Sequence, residues 1–334
     1  MKLLVTGGAG FIGSNFIHYI LKKYPDYEIA NLDVLTYAGN LENLTDLEGN
    51  PRYSFVKGNI TDYDLVEKLV SKVDMIVHFA AESHVDRSIL DSRDFVGTNI
   101  VGTHALLEAA KKNDNKRFHH ISTDEVFGSL SLTDPAFSEK TPYDPRSPYS
   151  ASKAGSDHLV RAYFHTYGLP VTISNCSNNY GPYHFPEKLI PLSITNLIQG
   201  KKITLYGDGM HVRDWLYVED HCSAIDAIIH NGVIGDTYCI GGNTEKTNKE
   251  VAYKILELLG KGEESIEFID DRRGHDRRYA IDFSKLKGEL GWEPSVGFEE
   301  GLLKTIQWYK DNEKWWKNIV SGEYRDYYKN HYEN

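Results

Sequence analysis

Lys2-Leu3-Leu4-Val5-Thr6-Gly7-Gly8-Ala9-Gly10-Phe11-Ile12-Gly13 runs from a short apolar strand pattern into clustered glycines and on into an amphipathic helix pattern over Phe11 to Lys23. The stretch satisfies G-x-G-x-x-G from Gly8 and the related G-x-x-G-x-x-G from Gly7. Glycine is needed there for a tight turn and for close approach of backbone to a pyrophosphate, which then rests on the N-terminus of the helix. Gly7, Gly10, Phe11, Ile12 and Gly13 are therefore candidate contacts for a dinucleotide. Asp33 closes the next strand pattern about 20 residues on, where a carboxylate accepts bonds from an adenosine ribose. An acid at that place repels a 2′-phosphate, so the pattern favours NAD over NADP.

Outward from this motif the same alternation repeats. Glu28 to Asp33, Tyr53 to Lys57, Met75 to Phe79, Arg117 to Thr123 and Val171 to Asn175 read as strands. Asp62 to Val70, Thr98 to Asn113 and Tyr149 to Tyr167 read as helices between them. Repeated βα units mean an α/β fold with a Rossmann-type, doubly wound parallel sheet covered by helices on both faces. After about Cys176 the pattern loosens: Pro182, Pro186 and Pro191 break a loop. Helices Leu189 to Gln199, Glu219 to Asn231 and Lys249 to Leu259 then mix with strands Val212 to Tyr217 and Thr237 to Ile240. The expected division is a dinucleotide-binding domain over 1–176, its sheet completed by later segments, and a smaller mixed α/β C-terminal substrate lobe over 177–334.

Composition limits the partners. The 334 residues carry 37 Lys plus Arg against 48 Asp plus Glu, a formal charge of −11. Nucleic acid and anionic membrane surfaces are poor partners for such a chain. No apolar stretch approaches the ~20 residues that span a bilayer. Three widely spaced cysteines, Cys176, Cys222 and Cys239, fit no metal or disulfide pattern and suggest a reducing, cytoplasmic setting. The histidines include no H-E-x-x-H, and no metal is expected. His119-His120 lie inside a strand pattern, where packing or hydrogen bonding is their expected role.

Chemistry gathers at strand ends. Small residues Ala80, Ala81 and Ser83 follow the Met75 strand and leave room for a cofactor across its carboxyl edge. Asn59, after Gly58, sits where an adenine can be hydrogen-bonded. In Ser147-Pro148-Tyr149-Ser150-Ala151-Ser152-Lys153 a capped helix carries Tyr149 and Lys153 four apart on one face. A nearby ammonium favours phenolate, so the sequence predicts a lowered Tyr149 pKa. Ser122-Thr123 end another strand, and Asp124-Glu125 follow at once. A plain oxidation needs no acid–base pair beyond a tyrosine. Eliminating water needs one group to take a carbon-bound proton and another to protonate the leaving hydroxyl. A ketone acidifies the proton on a neighbouring carbon, so two carboxyl groups beside one can complete a dehydration; two acids at a strand end can equally be solvated or cap a loop.

These residues together resemble the extended short-chain dehydrogenase/reductase family from end to end. Thr123-Asp124-Glu125 joins three longer stretches: Phe79 to Ser88, Asn175 to Lys188 and Arg213 to His221. With them the chain resembles one branch of that family, the dTDP-glucose 4,6-dehydratases. The resemblance implies NAD-mediated oxidation at carbon 4, loss of water across carbons 5 and 6, and return of hydride to carbon 6. Thr123 would hold the substrate hydroxyl, Tyr149 take its proton, and Lys153 bind the nicotinamide ribose. Asp124 would be the acid and Glu125 the base. It implies further cofactor contacts at Ile60, Thr98 and Asn179. Substrate contacts are implied at Ser83, Thr123, Asn178, Lys188, Leu189, Tyr206, Arg213, Asn248, Arg272 and His275. A homodimer through helices Thr98 to Asn113 and Tyr149 to Tyr167 is a family expectation.

Asn59, Phe127 and Arg273 depart from the family's usual Asp, Tyr and Pro. Arg277 and Arg278 stay open between substrate and structural roles, and so does the base of the nucleotide. An epimerase or decarboxylase of the same family would not need the two acids. A non-catalytic NAD sensor would need neither them nor Tyr149.

Overall fold

The computed structural model describes residues 1–114, 116–271 and 274–322. The N-terminal half supplies six strands: β1 (Lys2–Thr6), β2 (Glu28–Asp33), β3 (Tyr53–Lys57), β4 (Met75–His78), β5 (Arg117–Thr123) and β6 (Val171–Cys176). The remainder supplies β7 (Asn178–Tyr180), β8 (Ile203–Tyr206), β9 (Val212–Tyr217), β10 (Thr237–Ile240), β11 (Glu245–Thr247) and β12 (Ile266–Ile269). Seven of these form one parallel sheet in the order β10-β6-β5-β4-β1-β2-β3. The chain enters at β1, winds outward to β3, then crosses back to β4. That reversal opens a crevice between β1 and β4 at the carboxyl ends of the strands, where ligands bind in such sheets.

Both faces of the sheet are covered, which is why β4 and β6 are buried along their whole length. On one face, helices Phe11–Lys23 and Val218–Asn231 pack Phe16, Ile17, Ile225 and Ile228 against the strands. On the other, helices Tyr63–Val70, Thr103–Lys112 and Pro148–Tyr167 contribute Val66, Leu106, Leu107 and Val160. The seventh strand, β10, comes from the second half of the chain and pairs Thr237 with Ile173 and Ile240 with Cys176. The second lobe has its own core, centred on Tyr180, Trp215, Tyr309 and Trp316. It holds the three-stranded sheet β11-β9-β7 and the pair β12-β8. None of the described helices is long and apolar enough to cross a membrane.

One expected helix differs. Instead of a regular helix from Thr98, the chain turns at Arg93, passes through a π-helical segment over Val96–Gly102, and becomes α-helical at Thr103. The wide turn brings the buried Asn99 side chain to three partners. Its Oδ1 accepts from the Glu82 N–H at 2.9 Å, and its Nδ2 donates to the Glu82 carbonyl at 3.0 Å and to Ser152 Oγ at 2.8 Å. A π-bulge of this kind is uncommon and concentrates at functional sites. Here it pins the loop after β4 to the helix carrying Tyr149 and Lys153.

Candidate active site

The crevice deepens into a cavity of about 450 Å³ between the sheet and the second lobe. Apart from Arg272, which lies with Arg273 outside the described residues, every candidate site residue named from the sequence lines it.

The glycine loop forms the floor. Gly7 has φ +71°, and a Cβ on it would stand 2.6 Å from the Ala80 backbone. A Cβ on Gly13 would stand 2.4 Å from the Gly7 carbonyl oxygen, so the helix cannot sit this close to the strand with any larger residue. The helix from Phe11 has no side-chain cap and no acid in its first turn. Its free N–H groups are left to an anion. Asp33 is buried at the end of β2, with Oδ2 accepting from the Ala9 N–H at 3.0 Å and Oδ1 from the Leu35 N–H at 2.8 Å. These bonds aim its carboxylate into the cavity beside the loop. Asn59 caps its own turn by accepting from the Thr61 N–H at 3.0 Å while lining the cavity.

The reacting groups converge from β5 and from the helix Pro148–Tyr167. Ser147 and Ser150 close a capping box at that helix's start, and Pro148 occupies its first turn. Thr123 ends β5; its hydroxyl donates to Asp124 Oδ1 at 3.3 Å and accepts from the Glu125 N–H at 3.3 Å. Asp124 is buried, and its Oδ2 has no hydrogen-bond partner among the described residues. Burial first, then the charge of Glu125, pushes the Asp124 carboxyl well above the usual carboxylate range, against the pull of Arg213. Lys153 Nζ donates to the Ile121 carbonyl at 2.8 Å and stands 3.5 Å from His120 Nε2. Burial draws its ammonium down to about 8, opposed by Asp157.

The expectation of a lowered Tyr149 pKa does not hold in this cavity. The phenol is pushed well above its ordinary value, chiefly by burial and then by the negative charge of Glu125. The Lys153 ammonium is turned toward the Ile121 carbonyl. The phenol therefore stays protonated until positive charge is brought beside it.

The second lobe forms the opposite wall. Arg213 on β9 is buried, its Nη1 donating to its neighbour's carbonyl at 2.7 Å and Nη2 to the Asp276 carbonyl at 3.0 Å. Its guanidinium carbon lies 4.3 Å from the centre of the Tyr279 ring. Lys188 stands at the start of helix Leu189–Ile198. His275 stacks on His211 with ring centres 3.6 Å apart, and its Nδ1 is 2.6 Å from Asp271 Oδ1. The cations Arg213 and Lys188 thus face the cavity within an acidic chain.

The chain is similar over almost its whole length to proteins of known kind. Residues 4–305 match the family described as GDP-mannose 4,6 dehydratase. The dTDP-glucose 4,6-dehydratase of Neisseria meningitidis serogroup B is 53% identical, the match covering 97% of each chain. The chain belongs to the dTDP-glucose 4,6-dehydratase family. Its fold agrees: the dTDP-glucose 4,6-dehydratase of Streptomyces venezuelae, solved with NAD, superposes with a TM-score of 0.93 at 49% identity, covering 96% of this chain and 100% of that one. The Bacillus anthracis dTDP-glucose 4,6-dehydratase, solved in complex with NAD, gives a TM-score of 0.90 at 53% identity, covering 96% and 99%.

For a member of this family, the undecided arginines now have places. Arg277 pairs with Asp208 at 3.0 Å, and Arg278 grips Glu245 while donating to the carbonyls of Ser131 and Asp134 at 3.3 and 2.8 Å. Neither lines the cavity; Arg277 ties the second lobe together, and Arg278 joins it to the loop at Ser131 and Asp134 in the first half of the chain. Sequence reading passed over a strap that does line it. His184 stacks on Phe11 at 4.2 Å, and its carbonyl accepts from the Tyr309 hydroxyl. Glu187 is buried near His84 and Arg87, and burial pushes its carboxyl up to about 7. These residues sit in a Pro-broken loop with no periodicity, so only the long family-like stretch marked them. Asn43 was missed too: its Nδ2 donates to the Ala9 carbonyl at 3.0 Å, and its Oδ1 accepts from Trp315 Nε1 at 2.8 Å. Nothing in local sequence links Asn43 to a tryptophan 272 positions away.

Proposed function

We propose that the protein converts dTDP-glucose to dTDP-4-keto-6-deoxyglucose, a step of deoxysugar biosynthesis of the dTDP-rhamnose type. One observation carries the reading within this family: the buried, partnerless carboxyl oxygen of Asp124 stands one residue from Thr123 and beside Glu125. An acid held protonated in a dry site is suited to give its proton to a leaving hydroxyl.

The glycine cradle, the uncapped helix and Asp33 fit NAD, which when bound accepts a hydride from carbon 4 and later returns it to carbon 6. Thr123 holds the 4-hydroxyl and Tyr149 takes its proton. Lys153 holds the nicotinamide ribose and lends positive charge to Tyr149. The resulting 4-ketone acidifies the carbon 5 proton, which Glu125 removes. Asp124 protonates the departing 6-hydroxyl, so water leaves across carbons 5 and 6. Glu125 returns a proton to carbon 5 as hydride arrives at carbon 6. Arg213 and Lys188 face the diphosphate, and Asn178, Tyr206, Leu189, Asn248 and His275 surround the nucleotide and sugar, with Ser83 near the reacting carbons. Incubation of the NAD-loaded protein with dTDP-, UDP- and CDP-glucose should yield a 4-keto-6-deoxy product, fastest from dTDP-glucose. No product from folded, NAD-loaded protein would overturn the reading.

A homodimer in a reducing cytoplasm accompanies it. Ile89, Leu90, Val96 and Val101 expose apolar side chains in and just before the π-helical segment, and all three cysteines are unpaired and buried. Sedimentation should give twice the mass of one chain, and Leu90→Asp with Val101→Asp should give single chains. A monomeric wild type would rule the dimer out.

A further inference from the structure

Asp157 lies four residues beyond Lys153 on the same helix face, fully buried, where an ionised carboxylate is costly unless richly bonded. Its bonds are numerous. Oδ2 accepts from Ser122 Oγ at 2.9 Å, from the Tyr143 hydroxyl at 2.7 Å and from Asn175 Nδ2 at 3.3 Å. Oδ1 has no hydrogen-bond partner among the described residues; it stands 3.2 Å from His120 Nε2, a ring nitrogen that also lies 3.1 Å from Ser156 Oγ and 3.5 Å from Lys153 Nζ. Asn175 Nδ2 also donates to the Thr123 carbonyl at 3.1 Å. One carboxylate thus reaches both reacting elements without lining the cavity.

We infer that Asp157 is a positioning residue for the dehydration, holding the Lys153 ammonium by its charge across the His120 ring nitrogen that both face, and the Thr123 strand end through Ser122 and Asn175. This rests on the proposed function. Lys153 faces His120 on β5, His78 on β4, Cys176 on β6, and Tyr149 and Asp157 on its own helix. His78 and His120 are buried and held neutral, and burial holds the Cys176 thiol protonated up to about 12. Asp157 itself faces His120, Lys153 and Tyr143, with Arg161 behind Tyr143 donating to its hydroxyl at 2.8 Å. Asp157 is therefore the fixed negative charge among these groups, and its partners hold its carboxyl below the usual range despite burial. Where an opposite charge holds an ammonium protonated, its removal lowers that ammonium's pKa by about one unit or more.

Asp157→Asn keeps the shape and removes the charge. In the NAD-loaded protein, the alkaline limb of kcat/KM for dTDP-glucose should move down by about one pH unit, a roughly tenfold loss above both limbs, with KM unchanged. NAD release should accelerate over the same pH range, a readout that needs no turnover. Tyr143→Phe removes a donor but not the charge, and should leave the limb in place. An unmoved limb and unmoved release in Asp157→Asn would overturn the inference, and so would an equal shift in Tyr143→Phe. Should Asp157→Asn fail to fold, Asn175→Ala decides, since it cuts the link from Asp157 to the Thr123 carbonyl. It should lower kcat severalfold at constant KM, and a wild-type kcat would overturn the inference. A wild type without product fails the proposed function instead, and the release data still judge Asp157.

Discussion

Asp124→Asn combined with Glu125→Gln should all but abolish release of the 4-keto-6-deoxy product, each group costing ~10²–10⁴ in rate. The first hydride transfer should survive. Thr123, Tyr149 and Lys153 are untouched, so dTDP-glucose should still reduce the bound NAD, and the protein should stall with NADH absorbance that does not decay. The physical ground is the contrast between the neighbours. Asp124 is buried and held protonated, partly because Glu125 carries negative charge beside it. Pushing two carboxyl groups apart in this way is how one site acquires an acid and a base at a single pH. Since Asp124 must be protonated to act, dehydration should decline as pH rises through its elevated pKa. Near-wild-type turnover in the double variant would sink the dehydratase reading in favour of an epimerase or decarboxylase.

Tyr149→Phe should block one step earlier, losing a comparable ~10²–10⁴ with no NADH formed at all. Burial and Glu125 hold this phenol protonated in the cavity, so it cannot act as a base until cationic partners are assembled. Lys153 is one of them, and the oxidised nicotinamide adds another positive charge. The two variants therefore report different halves of the cycle. Mixed with dTDP-glucose in a single turnover, one should show persistent NADH and the other none. NADH formation at the wild-type rate in Tyr149→Phe would remove Tyr149 from its proposed role.

Much of this was legible in the chain because the relevant signals are local. The strand, glycine turn and helix at Lys2 to Lys23 obey short-range rules, and Tyr149 and Lys153 share a helix turn. The capping box at Ser147 was visible for the same reason. What escaped is non-local. Asn99 looks like any polar residue in a helix until the π-helical turn aims it at Glu82 and Ser152. Asp157 reads as one more helical acid, and only the stacking of β5 and β6 beside it shows a buried junction. The Tyr149 shift went the other way because spacing reveals the ammonium but neither the depth of burial nor the carboxylate across the cavity. Trp315 reaches the glycine loop through Asn43 by tertiary contact alone.

The seventh strand has a consequence for how the molecule comes into being. Because β10 closes the sheet from positions 237–240, a chain leaving the ribosome cannot finish its cofactor-binding half when that half has been synthesised. Until then β6 stands as an open edge, its N–H and C=O groups available to any passing strand. Vectorial synthesis therefore leaves a waiting interval of some sixty residues, counted from the end of β6 to β10, during which the half-built sheet is exposed to mispairing. The intimacy of the two lobes is thus also a kinetic constraint: the protein matures as one unit, late, with its sheet sealed by the half that shapes the substrate side.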